Sequence, residues 1–168
     1  MIVINCPSVK IVDQKSYDLI IDEIELATLR CPNCTSVGMH VHAYYERSFI
    51  SFGLKMKMVI KRVVCPICYK THALLLSVFV PYTRYDIKIY LKVIEREENI
   101  ESLLDLFEMS LDTLKRMRRN FKKRWSYVLE SERLLIKDSA LSLKCIKDLK
   151  RQFMQIHRQD CFSYILTT

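Results

Sequence analysis

Cys31-Pro32-Asn33-Cys34 and Cys65-Pro66-Ile67-Cys68 are the two stretches on which the fold turns. Two cysteines with two residues between them reach a single metal ion from one tight turn. Two such pairs on neighbouring hairpins complete a tetrahedron of sulfurs, which Zn2+ accepts without redox chemistry. With every ligand supplied by the protein the site is closed, so one structural Zn2+ is expected on Cys31, Cys34, Cys65 and Cys68. Pro32 and Pro66 fix φ inside their turns and remove a donor that would compete with the N–H···S bonds there. A pair of redox dithiols would instead open helices behind βαβ strands, and neither pair is placed that way. Structural zinc contributes about 10–16 kcal/mol in small fingers, so chelation is expected to unfold this segment.

Outward from the cysteines the side chains alternate. Residues 39–49 place Val41, Ala43 and Tyr45 on one face and His40, His42 and Tyr44 on the other. A reversal at Ser51-Phe52-Gly53 follows, and residues 55–64 alternate again, with Met56, Met58, Ile60, Arg62 and Val64 opposed to Lys55, Lys57, Val59 and Lys61. Period two predicts a β-hairpin feeding the second cysteine turn. Residues 71–80 supply a further strand, closed by Pro81, and residues 2–5 a short one. Residues 17–29 are apolar and acidic without a period that separates helix from strand. His40 and His42 are candidate extra ligands, but four cysteines already satisfy one ion. Lys55, Lys57 and Lys61 with Tyr44 and Arg47 form either a phosphate-touching row or a solvated strand face. His72 reads as a hydrogen-bonding partner within the ribbon.

Beyond Pro81 the period lengthens. Ile87, Tyr90, Leu91 and Ile94 mark an amphipathic helix over residues 85–96; Asn99 caps a short one over 100–107; Ser110 caps a long one from Leu111. Leu114, Met117, Phe121, Trp125 and Val128 face inward at steps of three and four. The outward side is basic: Lys115, Arg116, Arg118, Arg119, Lys122, Lys123 and Arg124 stand against Asp112 alone. Helix, tight turn, basic helix is the order of a helix-turn-helix, whose second helix enters the major groove with its first turns. Asp112, Thr113, Lys115, Arg116 and Arg119 are then the groove residues, with Arg116 suited to a bidentate contact with guanine. Ser110 and Thr113 can bond phosphates at the helix start, and Lys122 and Lys123 grip the backbone further along. The competing reading is the solvated face of an amphipathic helix. Glu108 stands in the turn where many such motifs have Gly. Leu143, Ile146, Leu149, Phe153 and Ile156 form a last helical stripe, suited to packing on the helices or on a second copy in a homodimer.

The expected fold class is therefore α+β: an N-terminal zinc ribbon of antiparallel β-hairpins over residues 1–81, an all-helical helix-turn-helix domain over 82–130 and a C-terminal helical segment over 131–168. A chain of 168 residues with a hydrophobic fraction of 50% can bury a core, and two glycines and four prolines leave little room for flexible linkers. Seven cysteines, an odd count, and no basic-then-apolar leader predict a reducing, cytoplasmic setting, with Cys6, Cys145 and Cys161 as buried free thiols. The longest apolar run, residues 73–81, falls short of the roughly 18 residues of a membrane span, so no membrane partner is expected. A net charge of +8 points to a polyanion or to solubility alone.

Cys31-Pro-Asn-Cys34-Thr-Ser, His42-Ala-Tyr-Tyr-Glu-Arg47 and the run from Lys61 through Cys65-Pro-Ile-Cys68-Tyr-Lys-Thr-His72 resemble the N-terminal zinc ribbon of bacterial insertion-sequence transposases and their small relatives. In that group a helix-turn-helix follows the ribbon. The resemblance covers residues 30–125 and implies recognition of DNA at a mobile element. Two features depart from it: Thr35 and Tyr69 stand where Gly often follows the knuckle, and the catalytic domain is missing. A transposase of this type needs three carboxylates on an RNase H-like sheet of on the order of 100 residues or more. Residues 126–168 hold no strand pattern and no such trio. A Ser-His-Asp elbow, a phosphate-binding Gly loop and a His-Glu-x-x-His segment are also missing. The expectation is a non-catalytic, sequence-specific DNA-binding accessory factor or regulator, with any transposase supplied in trans. The alternatives are a zinc-ribbon adaptor for protein partners, or an RNA or single-strand binder stacking bases on Tyr44, Tyr45 and Phe49.

Overall fold

The computed structural model describes residues 1–5, 13–51, 54–95, 99–126, 145 and 162–165. Ile2, Val3, Ile4 and Asn5 are buried without alternation, the signature of a strand covered on both faces. They form β1 (Ile2–Asn5). A helix, α1 (Gln14–Asp22), follows, opened by Asp13, whose carboxylate accepts from Ser16 N while Ser16 Oγ accepts from Asp13 N. Then come the hairpin strands β2 (His40–Ser51) and β3 (Leu54–Val64), paired antiparallel to their tips at Ser51 and Leu54, and β4 (Thr71–Leu76). The helices α2 (Ile87–Glu95), α3 (Ile100–Leu106) and α4 (Leu111–Arg124) come next, and β5 (Phe162–Ile165) is the last element among the described residues.

These strands make one five-stranded mixed sheet in the order β2-β3-β4-β1-β5. β1 runs parallel to both β4 and β5, with Ile2 opposite Leu74 on one side and Phe162 on the other. β3 and β4 pair antiparallel only over Arg62–Val64 and Thr71–Ala73, then part. Tyr17 fills that fork: its hydroxyl donates to Leu74 O at 3.0 Å and accepts from Lys61 N at 3.0 Å. The Gln14 amide satisfies the next stretch of β3, accepting from Val59 N at 2.7 Å and donating to Val59 O at 3.2 Å. Two side chains of α1 thus stand in for a missing strand. The core beneath this sheet joins Ile2 and Ile4 to Tyr17, Phe49, Ile60 and Leu75.

The three helices have their own apolar cluster, built on Tyr90, Val93, Leu103, Met117 and Trp125, and Ile50 of β2 and Val80 belong to it. Backbone bonds fasten the junction, Ile50 N to Arg84 O at 2.6 Å and Asp86 N to Ile50 O at 3.2 Å. Asp86, fully buried, caps α2 by accepting from Ile89 N at 2.7 Å and from Ser51 Oγ at 2.5 Å.

The expected fold class is corrected here. A ribbon of antiparallel hairpins followed by an all-helical helix-turn-helix domain and a C-terminal helix is not what the chain forms. The sheet is mixed, a helix precedes the hairpin, residues 162–165 return to the sheet as a strand, and the helices share their core with Ile50 and Val80. Residues 2–5 form the short strand expected of them, but the four residues 162–165 carry too little alternation to be distinguished from a loop or a helix end. The stripe from Leu143 to Ile156, with Val128, lies outside the described residues apart from Cys145, which is buried against the helical cluster. Cys6 and Cys161 also lie outside them.

The hairpin alternates from Ala43 to Phe49, but His42 sits at a bulge between the pairs Val41–Val63 and Ala43–Arg62, and His40, Val41 and His42 are all exposed. A bulge shifts the faces by one residue. On the facing strand Val63 is buried while Arg62 and Val64 are only half-buried.

Candidate metal centre and basic helix

The two cysteine turns are copies of one backbone device. In the first, Thr35 N donates to Cys31 O at 2.9 Å and Cys31 N to Ser36 O at 2.8 Å; in the second, Tyr69 N donates to Cys65 O and Cys65 N to Lys70 O, both at 3.0 Å. Antiparallel pairs close both turns, Arg30 with Val37 and Val64 with Thr71. Closing so tightly puts the residue after the second cysteine in the left-handed region: Thr35 has φ 62° and Tyr69 φ 57°. For a side chain this costs about 1–2 kcal/mol relative to glycine. Both knuckles accept the cost.

The result is four thiols whose sulfurs all lie within 4.8 Å of one another. Cys31 Sγ is 3.5 Å from Cys68 Sγ, and Cys34 Sγ 3.6 Å from Cys65 Sγ. A disulfide would bring sulfurs to roughly 2 Å, and all four cysteines are free. Tetrahedral bonds of about 2.3 Å imply sulfur–sulfur edges of about 3.8 Å. The cluster therefore matches the size of a site that can hold a metal ion.

Neighbouring groups prepare the sulfurs for a cation. Ser36 Oγ stands 3.0 Å from Cys34 Sγ and 3.1 Å from Cys65 Sγ. Burial opposes ionisation of Cys65, yet Ser36 and the N–H groups of Cys68 and Ile67 bring its thiol down to about 6. Cys34 is lowered too, chiefly by the Ser36 hydroxyl. Burial pushes Cys31 up to about 12, against the N–H groups of Cys34 and Asn33. A buried thiol of that kind ionises once a cation replaces its proton. His72, buried beside the cluster, places Nε2 3.5 Å from Cys31 Sγ, while Nδ1 meets the Met1 amine at 3.2 Å. Burial lowers its pKa to about 4, which keeps the imidazole neutral and able to donate to the sulfur. Ser36 was missed in the sequence; its signal is a hydroxyl two residues past a ligand, on the knuckle's own closing bond.

The second group of expected residues lies on α4. Ser110 caps the helix, accepting from Thr113 N at 3.2 Å and donating to Thr113 Oγ1 at 2.9 Å, so its donor is already engaged. Leu114, Met117, Phe121 and Trp125 are buried, whereas Asp112, Lys115, Arg116, Arg119, Lys122 and Lys123 are exposed, and Thr113 is half-buried. Arg118 turns inward and donates from Nε to Val93 O at 2.7 Å.

The lysine row of the hairpin differs. Lys55 pairs with Glu108, Lys57 with Glu46 at 3.0 Å and Lys61 with Asp22 at 2.5 Å, which are the ion pairs among the described residues. Each strand lysine has its own carboxylate. Lys115, Arg116, Arg119, Lys122 and Lys123 have none among the described residues. His40 and His42 are exposed and far from forming a second cluster: the four cysteines are the metal-ligating group found among the described residues. The stacking platform expected from Tyr44, Tyr45 and Phe49 is not assembled, since Phe49 is 0% exposed and stacks on Phe79. No described helix is long and apolar enough to cross a membrane.

No curated protein and no solved structure matches the chain. Residues 31–117, more than half of it, match one family, and the match runs from the first cysteine of the cluster to the buried Met117 of α4. By that match the chain belongs to the family described as "Domain of unknown function (DUF6431)".

Proposed function

We propose that the protein binds duplex DNA through the exposed face of α4, with one structural Zn2+ in the four-sulfur site bracing the sheet behind it. Its role on this reading is that of a non-catalytic accessory factor or regulator of a mobile element, related to transposase DNA-binding regions. The observation that carries it is the contrast between two sets of cations. The hairpin lysines are neutralised one by one inside the protein, while Lys115, Arg116, Arg119, Lys122 and Lys123 of α4 have no ion-pair partner among the described residues. Cations left unpaired along a helix face suit a phosphate backbone. The donor set favours zinc, since four thiolates in a tetrahedron suit a cation without geometric preference of its own.

Titrating a labelled blunt duplex at two salt concentrations tests the reading. Each phosphate contact should contribute about 0.9 to the slope of log K against log salt, and Arg116→Ala or Arg119→Ala should weaken binding more than Lys70→Ala on the second knuckle. Affinity indifferent to salt would overturn it. One observation favours a protein-docking adaptor instead: Val37, Ile67 and Tyr69 are exposed on the knuckles, Tyr69 by 78%. On that reading reversing the charges of α4 leaves function intact.

A further inference from the structure

A cleft of about 560 Å3 opens between the loop after β4 and one flank of α4. Its volume falls within the roughly 300–1,000 Å3 of small-molecule sites. The loop contributes Tyr82, Arg84 and Tyr85, α2 contributes Tyr90, and α4 contributes Thr113 and Arg116 one turn apart, with Asn120 beyond. The cleft therefore combines two guanidiniums, three phenol rings and, in Thr83, Thr113 and Asn120, three neutral hydrogen-bonding side chains. Arg84 is held over the Tyr85 ring, 5.3 Å from its centroid, with Nη2 3.2 Å from the Tyr85 hydroxyl. Neither Arg84 nor Arg116 has a carboxylate partner among the described residues. Asp86, two residues beyond Arg84, turns away to Ser51 and Ile89 N. Tyr82 is 63% exposed and stands on a left-handed backbone, φ 60°.

Two cations on one cleft, Arg84 held over Tyr85 and Arg116 exposed on α4, ask for an anion with several acceptor oxygens, and Arg suits phosphate. Flat rings beside them ask for a flat ring in the ligand. We infer that this cleft takes a nucleoside phosphate, its phosphate on Arg84 and Arg116 and its base against Tyr82. The ligand has two sources with the same chemistry, a free nucleotide or an unpaired nucleotide of a bound strand. The inference deepens the nucleic-acid reading of α4 and rests on that reading only for the second source. Arg116 stands where the two surfaces meet, so Arg84 and Tyr82 are the residues that separate them.

The full-length, metal-loaded protein is titrated calorimetrically with AMP, dTMP and inorganic phosphate. In parallel, a labelled blunt duplex is compared with the same duplex carrying a 5′-phosphorylated single-stranded overhang. Saturable binding of the nucleotides supports the free source, and tighter binding of the overhang duplex by about fivefold or more supports the strand source. In either case Arg84→Ala should cut the effect about tenfold and Tyr82→Gly about fivefold or more, with blunt-duplex affinity unchanged. Glycine suits the left-handed backbone at Tyr82, so that variant keeps the loop; circular dichroism checks both variants. If the blunt duplex binds but nucleotides do not and the overhang adds nothing, the cleft proposal falls while the reading of α4 stands. If nucleotides bind and the duplex does not, the cleft stands and the reading of α4 falls. Inorganic phosphate binding as tightly as AMP, or nucleotide binding unmoved by both substitutions, overturns the proposal.

Discussion

Asp86 shows at the scale of one residue how the junction between sheet and helices is held. Its carboxylate accepts from Ile89 N and Ser51 Oγ in a buried setting, and burial raises its pKa above the ordinary 3.8 despite those bonds. The acceptor oxygens, not the negative charge, are what the site uses. Asp86→Ala, which removes the cap and leaves Ile89 N and Ser51 Oγ without a partner, should cost about 2 kcal/mol. Asp86→Asn should cost less than about 1 kcal/mol, as urea denaturation can show. A raised folded pKa means the folded state holds its proton more tightly. The associated stability is complete below pH 3.8 and is lost as pH rises through the folded value. The difference between wild type and Asp86→Asn should accordingly move in favour of Asn from acidic to neutral pH; a difference moving the other way would sink the argument. Residues that act through covalent spacing were legible in the sequence, as Cys31, Cys34, Cys65 and Cys68 were. Asp86 was not singled out, although an acid directly before an apolar-periodic run is an N-cap signal. Nothing local says that this cap is buried, because Ser51 arrives from another element.

Among elements, α1 has the least obvious origin. Residues 17–29 show no clear period because the helix ends at Asp22 and turns follow. The start signal lay upstream, in the capping box of Asp13 and Ser16. What α1 does is also hidden from sequence: it closes the fork between β3 and β4 with a hydroxyl and an amide. Tyr17→Phe keeps the packing but leaves Lys61 N and Leu74 O without their partner. It should lose about 1–3 kcal/mol in a denaturant titration, and a neutral Tyr17→Phe would show that water takes over both groups. The capped starts of α3 and α4, at Asn99 and Ser110, were legible because capping is local. The bulge at His42 and the strand at residues 162–165 were not, since each is defined by a partner strand elsewhere in the chain.

For the whole molecule, the four-cysteine cluster and the sheet are one structure. Cys31 and Cys65 are buried in the core that also holds Ile4, Phe49 and Leu75, so removing the cation should leave buried thiols to reprotonate and loosen their neighbours. A chelator should lower the melting temperature and reduce the β signal in circular dichroism, with recovery on adding metal back. Metal analysis should find one ion per chain; unchanged melting with no bound metal would remove the centre from the account. The fold class expected from the change of period was overturned for a reason of the same scale. Hydrophobic period identifies which face of α2 or α4 is covered, as Tyr90 and Met117 bear out, but not that Ile50 and Val80 lie under it. The position of β1 between β4 and β5 also bears on how the chain is made. On the ribosome, the knuckles, the hairpin and one edge of β1 can assemble once residue 76 has emerged. The other edge must wait through synthesis of α2, α3 and α4 until residues 162–165 arrive, a long-range and therefore slow closure. Throughout that interval a nascent chain presents an open strand to chaperones and to its own neighbours on the same message.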